Sequence, residues 1–75
     1  MKHWEKIIRR ASAEDQARVA AALALLKQRQ FPPDTIKLKG FERYRTRVGD
    51  WRIFFHYEGA IVVPEDIERR DDHSY

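Results

Sequence analysis

The sequence predicts an α+β domain, two N-terminal helices packed on a three-stranded antiparallel β-meander, and three observations carry that prediction. Apolar residues recur with a helical period over the first 29 positions. After the pair Pro32-Pro33 the period drops to 2, as expected of half-buried strands. The glycines fall at element ends, with Gly49 and Gly59 separating the alternating runs where tight turns are needed.

The first helix follows from Trp4, Ile7, Ile8 and Ala11, which lie at i, i+3, i+4 and i+7 and so share one face, while Glu5, Lys6, Arg9 and Arg10 point elsewhere. Ser12, with Asp15 three residues on, resembles a capping box and predicts the start of a second helix over residues 13 to about 29. Its stripe is Val19, Ala22, Leu23 and Leu26, and its many alanines permit close approach to the sheet. Pro32 and Pro33 are expected to stop it.

The strands follow from the alternating runs at residues 43–48 and 51–57 flanking Gly49-Asp50, and from Ala60-Ile61-Val62-Val63 after Glu58-Gly59. With Gly49 and Asp50 as the loop, Val48 falls opposite Trp51, Arg47 opposite Arg52, Arg45 opposite Phe54 and Arg43 opposite His56. Opposite residues share a face. Arg43, Arg45, Arg47, Arg52 and His56 therefore line one side, and Tyr44, Thr46, Val48, Trp51, Ile53, Phe55 and Tyr57 form the side that meets the helices. Pro64, followed by Glu65 and Asp66, cannot donate to a ladder and predicts a bulge or an early strand end.

With 75 residues the chain makes one domain, residues 1–75, and 43% hydrophobic content with two Trp, three Tyr and four Phe suffices for one thin core. Without cysteine there is no disulfide, thiolate zinc site or thiol nucleophile, which fits a reducing, cytoplasmic setting. Three scattered histidines make a poor ligand set, no Gly-rich phosphate loop is present, and neither metal nor cofactor is expected. The longest apolar stretch, residues 19–26, is far short of a membrane span. Fifteen Lys and Arg against twelve Asp and Glu leave +3.

The excess is local. Between positions 36 and 57 stand six basic residues (Lys37, Lys39, Arg43, Arg45, Arg47, Arg52) and two acidic ones (Glu42, Asp50), a difference of +4. Such a face reads either as solvated surface or as a phosphate-binding groove. Arg47 facing Arg52 costs stability unless an anion or a carboxylate sits between them, and Phe54 among the arginines offers a stacking platform for single-stranded nucleic acid. The tail from residue 65 mixes acids with Arg69, Arg70, His73 and Tyr75, of which His73 titrates nearest neutrality; it reads as a polar terminus or as a source of acid-base groups. His3, at a helix start, reads as surface.

Lys37-Leu38-Lys39-Gly40, then Tyr44-Arg45-Thr46-Arg47-Val48-Gly49-Asp50-Trp51-Arg52-Ile53-Phe54-Phe55, then Ile67-Glu68-Arg69-Arg70 through Tyr75 resemble the RelE/ParE superfamily of toxin-antitoxin toxins over roughly the last 40 residues. The resemblance implies a ribosome-dependent messenger RNA endoribonuclease, in which a 2′-hydroxyl attacks its neighbouring phosphate, held in check by a cognate antitoxin. The family's paired cations carry over to Arg45 and Arg47. Its arginine after an aromatic carries over to Arg52, and its late arginine and tyrosine carry over to Arg69, with Arg70 as rival, and Tyr75. His73 stands where some nuclease members use a histidine. Arginine is a poor base at neutral pH, so His73, Glu68, Glu65, water or the ribosome must serve. The family usually opens with a β-strand that is missing here, which implies self-association or dependence on a partner. Two alternatives remain open: a ParE-like DNA gyrase inhibitor acting by protein-protein contact, and a degenerate RelE-fold binding module.

Overall fold

A computed structural model describes residues 3–40 and 42–69. It has the expected α+β class, with the elements in the order α1 (His3–Arg9), α2 (Ala13–Lys27), β1 (Thr35–Lys37), β2 (Arg43–Val48), β3 (Trp51–Glu58) and β4 (Ile61–Arg69). The sheet is antiparallel throughout, in the order β1-β2-β3-β4. It has one strand more than the sequence predicts. β1 is only three residues long, too short to display an alternation, and it forms because Thr35 pairs opposite Thr46. The Thr35 hydroxyl lies 2.8 Å from Thr46 Oγ1 and donates to the Pro32 carbonyl at 2.7 Å, which gives the fully buried Thr46 its partner.

α1 lays Trp4, Ile7 and Ile8 against the core, joined by Ala11 just beyond its end. α2 starts where Ser12 predicts, with the Asp15 backbone N–H donating to Ser12 Oγ at 3.1 Å. It buries Val19, Ala22 and Leu26, one residue per turn, with Leu23 partly covered beside them.

The helix ends two residues before the predicted boundary, and the prolines do not end it. Arg29 takes a left-handed φ of 54°, while the Arg29 and Gln30 N–H groups donate back to the Leu26 and Leu25 carbonyls, a Schellman stop normally built on glycine. Contacts hold Arg29 there: its guanidinium lies 4.0 Å from the centre of the Tyr57 ring, and Nη2 donates to the Gly59 carbonyl at 3.1 Å and to Glu42 at 3.3 Å. Tyr57 in turn donates its hydroxyl to the Leu26 carbonyl at 2.6 Å. Sheet and helix C-terminus are thus tied through one aromatic residue.

The core is Val19, Ala22, Leu26, Trp51, Ile53, Phe55, Tyr57 and Ile67, all on the helix side of the sheet. Phe31, from the loop after α2, stacks on Tyr44 with ring centres 5.2 Å apart, and Tyr44 stacks on Phe55 at 5.4 Å. The helices thus cover one side of the sheet, and no helix or strand among the described residues covers the opposite side.

The register between β2 and β3 is the predicted one, from Val48↔Trp51 out to Arg43↔His56. Of the two outcomes expected at Pro64, a bulge or an early strand end, the bulge is present and the strand runs on past it. Phe55 pairs with Pro64 and Phe54 with Asp66, which leaves Glu65 as the extra residue. Proline is tolerated because β4 lies at the sheet edge. No helix among the described residues is long and apolar enough to cross a membrane.

Candidate functional site on the open sheet face

Alternation along β2 and β3 brings Arg43, Arg45, Arg47, Arg52, Phe54 and His56 onto the open face in the opposing pairs that the register dictates. Their surroundings differ from the sequence expectation in one respect: every arginine there has a carboxylate. Arg43 Nη2 sits 2.8 Å from Glu65, Arg52 Nη2 3.4 Å from Glu68, and Asp34 lies between Arg45, at 3.4 Å, and Arg47, at 3.9 Å. The repulsion expected between Arg47 and Arg52 is relieved by Asp34 on one side and Glu68 on the other. The segment count of +4 did not register this because Asp34, Glu65 and Glu68 lie outside positions 36–57.

The bulge explains how Glu65 arrives. Ile67 pairs with Ile53 and is fully buried on the helix side, so simple alternation would send residue 65 to that side too. The extra residue at the bulge breaks the alternation, and the Glu65 carboxylate reaches Arg43 and His56 instead. His56 is the centre of a four-residue chain. Its Nδ1 lies 2.6 Å from Glu65, its Nε2 3.0 Å from Glu58, and Arg43 grips Glu65 from the other side through Nε and Nη2. With a carboxylate against each ring nitrogen, the doubly protonated imidazolium satisfies both contacts. The Glu58 hydrogen bond, reinforced by Glu65, raises the His56 pKa against the opposing pull of desolvation. The Arg43 hydrogen bond, helped by His56, lowers that of Glu65.

Access varies along the face. The Arg43 and Arg47 side chains are 48% and 41% exposed, whereas Arg45 is 14% exposed with a buried Nε that has no hydrogen-bond partner among the described residues. Arg45 is thus more a structural cation than a presented one. Phe54 is half-buried between Arg45 and Asp66, across from each in the ladder.

Other predicted site residues lie elsewhere. Arg69 pairs opposite Trp51, on the helix side, with its guanidinium 5.8 Å from a Trp51 ring centre, and does not join Arg52. Lys37 pairs opposite Tyr44, again on the helix side, and Lys39 sits in the following loop. Arg70, His73 and Tyr75 lie outside the described residues. His56 and Glu58 gain a part that the sequence did not assign. The register placed His56 on this face, but its proton chemistry emerges only from Glu58, two residues on, and Glu65, across the bulge. A histidine flanked at i+2 by a glutamate on the same strand face was the available signal. Among the described residues, no group of three or more His, Cys, Asp or Glu side chains is placed to hold a metal ion. Family models, curated proteins and solved structures contain no match to this chain.

Proposed function

We propose that this chain is a RelE/ParE-like toxin domain that cleaves messenger RNA on the ribosome through the open sheet face, under the control of a cognate antitoxin in the cytoplasm. The observation that supports the reading is the chain Arg43–Glu65–His56–Glu58 on a face that no helix among the described residues covers. Metal-free cleavage of RNA needs a cation at the phosphate, a proton acceptor for the 2′-hydroxyl and a donor to the departing 5′-oxygen. Arg43 and Arg47 are exposed enough to meet phosphate. Glu58 and Glu65 are the carboxylates beside His56 that would accept the 2′ proton, and His56, whose two carboxylate contacts favour the imidazolium, donates to the 5′-oxygen. The 2′-oxygen–phosphorus bond forms as the phosphorus–5′-oxygen bond breaks, leaving a 2′,3′-cyclic phosphate and a 5′-hydroxyl. Phe54 and the arginines beside it suit a stacked base. The outer edge of β4, which pairs with no strand among the described residues, is the surface for self-association or for the antitoxin.

A second reading, a gyrase-directed or other binding module without catalysis, is favoured by the carboxylate at every arginine of the face and by the separation of Arg69 from Arg52. Purified protein added to a cell-free translation reaction, with new messenger 5′ ends mapped by primer extension, decides between them. Codon-phased cuts that need ribosomes and vanish in His56→Ala and Arg52→Ala support the nuclease. Intact message together with inhibited supercoiling supports the binding module.

A further inference from the structure

At the end of the molecule away from the α2 C-terminus, α1 and the strands enclose a cavity of about 280 Å³ lined by His3, Lys6, Ile7, Arg10, Ala11, Trp51 and Arg69. Burial orders these residues by depth. His3, Lys6, Arg10 and Arg69 are exposed and form the mouth, Ile7 and Ala11 are half-buried walls, and Trp51, 2% exposed, is the floor. Lys6 and Ile7 lie in α1, and Arg10 and Ala11 follow in the closing turn just beyond its last residue, with the Arg10 and Ala11 N–H groups donating to the Ile7 and Ile8 carbonyls, so cationic and apolar side chains run side by side.

Two features set the cavity apart from ordinary surface. None of its four basic residues has an ion pair with any described residue, and no carboxylate lines it, whereas each arginine of the open sheet face is paired. The indole N–H of Trp51, the floor residue, is buried without an acceptor among the described residues, as are the indole N–H of Trp4 and the Nε groups of Arg45 and Arg52, and of these four Trp51 alone lines this cavity. An adjoining cleft shares His3, Ile7 and Arg69 but adds Asp66 and Glu68, whose negative charge confines an anion to the α1 side.

We infer that this cavity binds a phosphate monoester carrying a flat ring, with a nucleoside 5′-monophosphate as the representative ligand. Three fixed positive charges and a histidine exceed what a single carboxylate would need and suit a phosphate monoester carrying about −1.5 to −2. The apolar walls take the ring. The cavity lies just below the ordinary range for small-molecule pockets, about 300–1,000 Å³, which limits the ligand to one nucleotide. The site stands apart from the sheet-face reading, since Trp51 and Arg69 project to the opposite side of the sheet from Arg43 and His56.

The test is a titration of the full chain with AMP, adenosine and inorganic phosphate, followed by the two tryptophan indole N–H resonances, with Trp4→Phe used to assign that of Trp51. AMP should shift the Trp51 signal saturably, and adenosine and phosphate should each bind at least about tenfold more weakly. Lys6→Ala/Arg10→Ala should weaken AMP by at least about tenfold. Arg9→Ala, a cation of the same helix that does not line the cavity, and Arg43→Ala, on the sheet face, should leave binding unchanged. The inference is overturned if no ligand saturates, if adenosine or phosphate alone binds as tightly as AMP, or if Arg43→Ala weakens binding as much as the α1 double variant.

Discussion

The open sheet face and the α1 cavity both concentrate basic residues, yet they differ in what those residues have left to offer. On the sheet face four arginines meet Asp34, Glu65 and Glu68, and His56 bridges Glu58 and Glu65. At the cavity, His3, Lys6, Arg10 and Arg69 have no carboxylate partner among the described residues. The sheet face is richer in charge but close to neutral; the cavity has fewer groups and more unspent potential. Counting arginines along a strand therefore says little about binding until the residues opposite them are known.

The largest expected effect lies on the sheet face. On the proposed nuclease reading, His56→Ala reduces ribosome-dependent cleavage by at least about 100-fold, the size usual for a lost acid-base group, while Lys6→Ala/Arg10→Ala leaves it unchanged. A primer-extension time course compares the two, and loss of cleavage only in the α1 variant would invert the contrast.

The stability of Glu65→Ala should fall by about 1 kcal/mol in urea unfolding at constant m value. Both Arg43 and His56 lose their partner, but a quarter of the glutamate side chain already faces water, so screening holds the loss at the low end.

The pH profile sharpens the same point. Folding raises the His56 pKa, so its contribution is complete below the ordinary 6.5 and is lost as pH climbs through the raised value. Folding lowers that of Glu65, so its contribution is present above the ordinary 4.5 and is lost as pH falls through the lowered value. The stability difference between wild type and His56→Gln should therefore peak between pH 4.5 and 6.5 and shrink toward alkaline pH. Thermal melts across pH read it directly, and a difference that grows on the alkaline side contradicts the cluster.

A smaller change is expected from Glu68→Gln, which unpairs Arg52 without moving the backbone. Retention on heparin should shift to higher salt, with the binding slope against log salt steeper by about one charge. Smallest of all, Lys6→Gln should alter stability by less than about 0.5 kcal/mol, because no described partner is lost; a larger loss would reveal a hidden partner and remove the contrast between the two regions.

Much of the fold is legible in the sequence because short-range chemistry encodes it. The stripe Trp4, Ile7, Ile8, Ala11, the Ser12 cap and the Gly49-Asp50 hairpin each act within a few residues, and the hairpin carries the register of six opposed pairs with it. The α2 terminus was misread for the complementary reason: Arg29 adopts a glycine's conformation only because Tyr57, Gly59 and Glu42, from 13 to 30 positions away, hold its side chain. β1 was missed because three residues hold no readable period and its stabilising partner, Thr46, is eleven positions off.

The sequence by itself determined the α+β class, the helix faces, the β2–β3 register, the arginine row on one side of the sheet and that the ladder is interrupted near Pro64, by a bulge or by a strand end. Only the tertiary structure decided which of those arginines are already paired, that His56 sits between two glutamates, and that Arg69 faces α1 instead of Arg52. Side-chain alternation is a property of each strand and can be read locally, but ion pairing depends on the phase in which the next strand returns. Here a single unpaired residue, Glu65, shifts that phase by one position and so changes which carboxylates meet which cations.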